Sequence, residues 1–108
     1  MRKTIENIVK YSEYSEKAIE RYLVDSVKNL GGICLKYYNP NMVGYPDRIC
    51  LMPNGDVIWV ELKSHGEQLR SIQKIRITQL VKLKQVVHVC DNKQAIDKIL
   101  APYNSNQL

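Results

Sequence analysis

Gly44-Tyr45-Pro46-Asp47-Arg48 leads into Ile49-Cys50-Leu51-Met52, then Pro53-Asn54-Gly55-Asp56, then Val57-Ile58-Trp59-Val60-Glu61-Leu62-Lys63. Two apolar runs flank a turn. Asn54-Gly55 between such runs is a strong hairpin signal, Pro53 presets a turn φ, and Gly55 tolerates positive φ. Asp47 opens the first run, and Glu61 and Lys63 close the second. The loop length decides whether the two carboxylates meet. A two-residue turn on Asn54-Gly55 pairs Asp47 with Leu62. A three-residue loop with Gly55 at a bulge pairs Asp47 with Glu61 instead. The odd loop is the expectation, and it sets the two carboxyl-bearing Cβ atoms roughly 5 Å apart. Glu61 and Lys63, two apart on a strand, share a face.

Two carboxylates on one face repel, and burying them unpaired is costly. A hard divalent cation resolves the conflict: Mg²⁺ takes one or two carboxylates and completes its shell with waters and phosphate oxygens. Such a site activates water and stabilises charge on a phosphate. Lys63 then serves as a fixed positive charge beside it. A solvated Glu-Lys pair is the commoner meaning of Glu-x-Lys alone. The Pro46-Asp47 step, the hairpin and the apolar strands tip the balance toward a metal site.

The set Asp47…Glu61-x-Lys63 resembles the PD-(D/E)XK nuclease motif. Gly44-x-Pro46-Asp47-Arg48 with Glu61-Leu62-Lys63 and the later Gln73 is similar to the VRR-NUC family within it, as are Gly31-Gly32 and Lys36. The resemblance spans about residues 16–101. It implies an α/β, restriction-endonuclease-like αβββαβα core with a mixed four-stranded sheet, and Mg²⁺ as cofactor with Mn²⁺ as a substitute. It also implies a helix glutamate in the metal site. Glu16 and Glu20, one helical turn apart, both qualify; counting back from Gly31 favours Glu20. The implied catalytic set is Glu20, Asp47, Glu61, Lys63 and Gln73, with Asp47, Glu61 and Glu20 on the metal. Gln73 enters on the resemblance alone.

Outward from the hairpin, Ile19, Tyr22, Leu23, Val27 and Leu30 recur at helical spacing. Ser12 or Ser15 caps that helix and Gly31-Gly32 ends it. Residues 1–11 read as a short helix or an arm. Ile33 to Tyr38 reads as a strand, and residues 39–46 as a loop at the rim of the site. Ser71 is the expected cap of a helix over about 72–84. Gln85 to Cys90 is the fourth strand, and Asp91 or Asn92 caps a last helix from Lys93 to Ala101. The polar tail from Tyr103 is expected to fray. The first three strands form an antiparallel meander. The fourth follows a helix, so it runs parallel to the third by a right-handed crossover.

The chain has 108 residues, 44% hydrophobic and 25% charged, which bounds it to one domain, residues 1–108, with a core at about 15–101. No apolar run approaches the ~20 residues of a membrane span. The first residues lack the apolar segment of a signal peptide, so a cytoplasmic protein, in the host if phage-encoded, is expected. Cys34, Cys50 and Cys90 have no metal-ligand spacing and read as free thiols. The net charge of +5 suits a polyanion. Lys36, Arg48, His65, Arg70 and Lys74 are the candidate DNA contacts. For Arg48 a structural ion pair is an equal reading, and for His65 an exposed loop position is.

The function that emerges is a Mg²⁺-dependent, structure-selective DNA endonuclease. Small stand-alone relatives in this family resemble Holliday-junction resolvases, which implies branched DNA and a homodimer with its two sites on opposed strands. A flap, nick or restriction-like nuclease is the first rival. A DNA-binding module with structural carboxylates is the second.

Overall fold

The structure is a computed structural model, and residues 15–104 are described. The reading of residues 1–11 as an arm lies outside them. The first helix, α1, is Glu16–Asn29; β1 is Ile33–Lys36, β2 is Arg48–Leu51 and β3 is Val57–Leu62. The helix α2 is Ser71–Lys82, β4 is Val86–Cys90 and α3 is Lys93–Leu100, followed by a 3-10 turn at Ala101–Tyr103. The strands form one sheet in the order β1-β2-β3-β4, antiparallel except for the parallel β3–β4 pair. The αβββαβα order and the mixed sheet are as the sequence implied.

Ser15 caps α1, accepting at Oγ from the Ala18 N–H at 3.1 Å. Ile19, Leu23 and Val27, one turn apart, are fully buried. The helix closes in a Schellman motif: Gly32 N–H donates to Val27 O and Gly31 N–H to Lys28 O, both at 2.9 Å. Gly31 takes the left-handed φ of +89° that this motif needs, while Gly32 lies so close to β2 that a Cβ would sit 2.6 Å from the Leu51 carbonyl. The two glycines therefore set where the first strand enters the sheet.

The hairpin between β2 and β3 has the odd loop. Met52 N–H donates to Asp56 O at 2.8 Å, and Gly55 N–H returns to Met52 O at 2.9 Å. Pro53, Asn54 and Gly55 make the loop, with Gly55 at φ +93° in the bulge. Asp56 accepts at its side chain from the Tyr103 hydroxyl at 2.9 Å. Tyr103 is thus tied back to the hairpin and packs against the core, not frayed as expected.

Alternation along the strands sends Cys50, Ile58, Val60 and Leu62 into one core with Ile19, Leu23 and Val27 of α1 and Ile96 and Leu100 of α3. Tyr22 of α1 donates its hydroxyl proton to Asp97 of α3 at 2.5 Å. The three cysteines are free, and the Cys50 thiol donates to the Cys34 sulfur at 3.6 Å. The opposite sheet face carries Leu35, Ile49, Leu51, Val57 and Trp59, with Asp47 and Glu61 at one end of it.

Three boundaries move. β1 stops at Lys36, before Tyr38, because Asn39 Oδ1 captures the N–H groups of Asn41 and Met42, both at 3.1 Å, and turns the chain. Arg70, not Ser71, occupies the cap position of α2, and the Gln73 side chain supplies the acceptor, taking the Arg70 N–H at 2.8 Å. α2 ends at Lys82 because Lys84 takes a left-handed φ of +65°.

Candidate active site

Arg48 pairs with Val60 across β2 and β3, and the same register carried one step further from the hairpin loop sets Asp47 opposite Glu61. The Met52–Asp56 hydrogen bond places the hydrogen-bonded pairs at residues 52, 50 and 48 of β2. Asp47 and Glu61 therefore occupy a non-hydrogen-bonded position, where opposed backbones approach most closely, with Cα atoms about 4.5 Å apart. The odd loop, set by Gly55, is what brings them together.

A cavity of about 230 Å³ opens at this pair, lined by Glu16, Asp47, Glu61, Lys63, Glu67, Gln68, Arg70 and Gln73. Glu61, Lys63 and Gln73 are nearly solvent-free, at 2%, 6% and 5% exposure. Lys63 Nζ lies 3.7 Å from Glu61 Oε1 and 3.8 Å from Glu67 Oε1. Gln73 Nε2 donates to Glu61 Oε1 at 3.0 Å. The second carboxylate oxygen, Glu61 Oε2, is buried and has no hydrogen-bond partner. A buried acceptor without a donor costs about 1–3 kcal/mol, so it marks a place where something positive belongs.

The electrostatics agree. Burial pushes the Glu61 carboxyl up to about 7, and the Asp47 charge adds to the rise against the opposing Lys63 ammonium. Asp47 is also raised, first by burial and then by Glu20, with Lys63, Lys36 and Arg48 opposing. Glu16 is raised by burial, then by Asp47 and Glu67. Three carboxyl groups crowd one another past what Lys63 neutralises. Among the described residues, no three His, Cys, Asp or Glu side chains form a ready-made metal cage. Mg²⁺ needs none: two opposed carboxylates, one with an unsatisfied oxygen, fit a hard cation that keeps most of its waters.

The helix glutamates separate. Glu16 lines the cavity, whereas Glu20, favoured by the sequence count, accepts from Arg48 Nε at 3.2 Å and faces a larger, open groove along α1. Among the described residues, that groove, about 650 Å³, gathers no opposed carboxylate pair and no unsatisfied buried side-chain atom. Arg48 also reaches the Cys34 carbonyl at 3.4 Å, so its guanidinium is engaged inside the fold. Lys36 is exposed on β1 opposite Arg48. His65 Nδ1 lies 4.0 Å from Asp91 Oδ2, beside the loop that Asp91 holds through Gly66 N–H at 3.1 Å. Arg70 lines the cavity, and Lys74 is exposed one turn further along α2. Glu67 carries no signal in the sequence. It sits four residues after Lys63 but in a loop, where no periodicity points to a shared neighbour.

No family model matches the chain. It is 38% identical over 89 residues to "Putative nuclease p44" of Acyrthosiphon pisum secondary endosymbiont phage 1, an alignment covering 82% of this chain and 95% of that protein. A solved structure described as a VRR_NUC domain superposes with a TM-score of 0.78 at 23% identity, covering 83% of this chain and 98% of the other. The chain belongs to the same family as this phage protein, and its fold is that of the VRR-NUC domain, restriction-endonuclease-like.

Proposed function

We propose that the chain is a Mg²⁺-dependent endodeoxyribonuclease that hydrolyses phosphodiester bonds in branched DNA, four-way junctions above all. The observation that carries the reading is Glu61 Oε2, buried and without a donor, opposite Asp47. The phage relative's printed name supports the nuclease class. Asp47 and Glu61 would hold the cation, with Glu16 at the rim in preference to Glu20 and with Mn²⁺ able to substitute. When bound, it would lower the pKa of attacking water and neutralise the phosphate. Lys63, between Glu61 and Glu67, is placed to steady the attacking water or a phosphate oxygen. Gln73 holds the Glu61 carboxylate in one orientation. Arg70 and Lys74 provide positive charge for the DNA backbone, in keeping with the net charge of +5. The three free thiols accord with work in the host cytoplasm.

Two opposed cuts at a junction call for two sites, and a homodimer supplies them. The described residues favour a sheet-face contact. Ile33, Leu51 and Val57 form one row across β1, β2 and β3 and are all exposed. The first and last helices meet each other through Tyr22 and Asp97. Cleavage of labelled linear, flap, forked and four-way DNA, with Mg²⁺ and in chelator, tests the reading. Metal-dependent, paired cuts on four-way DNA are expected. Cuts on one strand of flaps would move it to a flap nuclease, and chelator-insensitive binding without any cleavage would leave a DNA-binding module.

A further inference from the structure

A second cavity, about 140 Å³, adjoins the catalytic one and shares Asp47, Arg70 and Gln73 with it. Its other walls are Tyr37, Tyr38 and Tyr45 with the loop between them. Cavities for drug-sized ligands run to about 300–1,000 Å³, so this one suits a single ring system. Its walls are aromatic and its loop is braced. Tyr37 meets Trp59 edge-on at 5.3 Å and Tyr45 at 6.1 Å. Asn39 Nδ2 donates to the Tyr37 hydroxyl at 3.1 Å while its Oδ1 holds the loop turn. On the other side Arg76 donates to Val43 O at 2.8 Å and lies over the Tyr45 ring at 4.9 Å. Gly44, at φ +97°, lets the loop press against Ile72 of α2, where a Cβ would stand 2.7 Å from a side-chain carbon. Amid this fixed frame Tyr38 is 81% exposed, a large ring in water that nothing in the core requires.

We propose that this pocket receives one unpaired nucleobase of the bound DNA, next to a phosphate held by Arg70 at the catalytic cavity, with the Tyr38 ring as stacking platform. The proposal rests on the nuclease reading above. The shared wall fixes the geometry: a phosphate seated against Arg70 brings an adjoining base to the other side of the same wall. A base inside a duplex is stacked and paired and does not enter; a base at a branch point is freed at small cost. Selection of branched over linear DNA then follows from the shape of the pocket, without reading a sequence. Stacking of this kind tolerates every base, because each has a π-face.

The test uses Glu61→Gln protein, uncut DNA, and four-way junctions and flaps carrying 2-aminopurine at successive positions around the branch. Quenching at one position is expected, lost in Tyr38→Ala and kept in Tyr38→Phe. An abasic site at that position should weaken binding roughly 5- to 150-fold, the range of one base–aromatic stack. Tyr38→Ala should then add nothing further, since both changes remove the same contact. No quenching at any position, or losses that multiply, would overturn the pocket. Cleavage by the wild-type protein is measured separately on the same DNA. Cutting without quenching sinks the pocket and spares the nuclease; quenching without cutting does the reverse.

Discussion

Gln73 on α2 donates through Nε2 to Oε1 of Glu61 on β3, at 3.0 Å, with both side chains buried. The Gln73 carbonyl oxygen takes the Arg70 N–H at 2.8 Å, which forces the amide nitrogen toward the carboxylate. One side chain thus caps a helix and aims a carboxylate.

Gln73→Ala should therefore cost both stability and activity. Losing the cap acceptor and one donor to a buried carboxylate is worth about 1–3 kcal/mol. Chemical denaturation measures the first effect and single-turnover cleavage the second. Gln73→Glu should hurt activity more than stability, since a third carboxyl group then faces Glu61. Full activity in both variants would remove Gln73 from the site.

Glu61→Gln should abolish cleavage yet stabilise the protein at neutral pH in the absence of metal. The Glu61 carboxyl rises from an ordinary 4.5 to about 7 in the folded state. A raised carboxyl binds its proton more tightly when folded, so its contribution is intact below pH 4.5 and lost as pH climbs to about 7. The loss is on the order of 3 kcal/mol, at about 1.4 kcal/mol for each pH unit between the two values. The difference in melting temperature between Glu61→Gln and wild type should grow over that pH range. A flat difference would contradict the assigned environment.

Mg²⁺ should raise the melting temperature of wild-type protein, and more at pH 8 than at pH 5, because cation and proton compete for Glu61. Cleavage should stop in chelator and return with Mg²⁺ or Mn²⁺. Asp47→Asn and Glu61→Gln should each lose the thermal shift. A shift retained in both would place the metal elsewhere.

Glu16→Gln should lower cleavage by about 10²-fold or more if that side chain completes the metal shell. Glu20→Gln should leave the rate near wild type at neutral pH and cost up to about 1 kcal/mol of stability, the scale of a partly exposed ion pair. Because the Glu20 charge helps raise Asp47, its removal should also move the acid limb of the pH–rate profile to lower pH. The reverse ranking of the two rates would restore Glu20 to the metal.

Gly32→Ala should destabilise by roughly 1–3 kcal/mol, or more if the backbone cannot shift, because the added Cβ meets the Leu51 carbonyl. Thermal denaturation reads this directly, and an unchanged melting temperature would mean that α1 can slide along the sheet.

The strands, their alternation and the Asp47–Glu61 pairing were legible in the sequence because each depends on local spacing. Gly55 sets the loop, the loop sets the register, and the register sets the pair. The helix glutamate was not legible. Glu16 and Glu20 share a helix face, and only the approach of α1 to β2, which gives Arg48 to Glu20, separates them. Gln73 as a helix cap, Glu67 beside Lys63, and the orphaned oxygen of Glu61 likewise belong to the packing of α2 and the following loop against the sheet. Sequence spacing fixes which residues share a strand or a helix face. Contacts between elements depend on how those faces dock, and for this chain the docking decides which carboxylate faces the cavity and which is spent on an arginine.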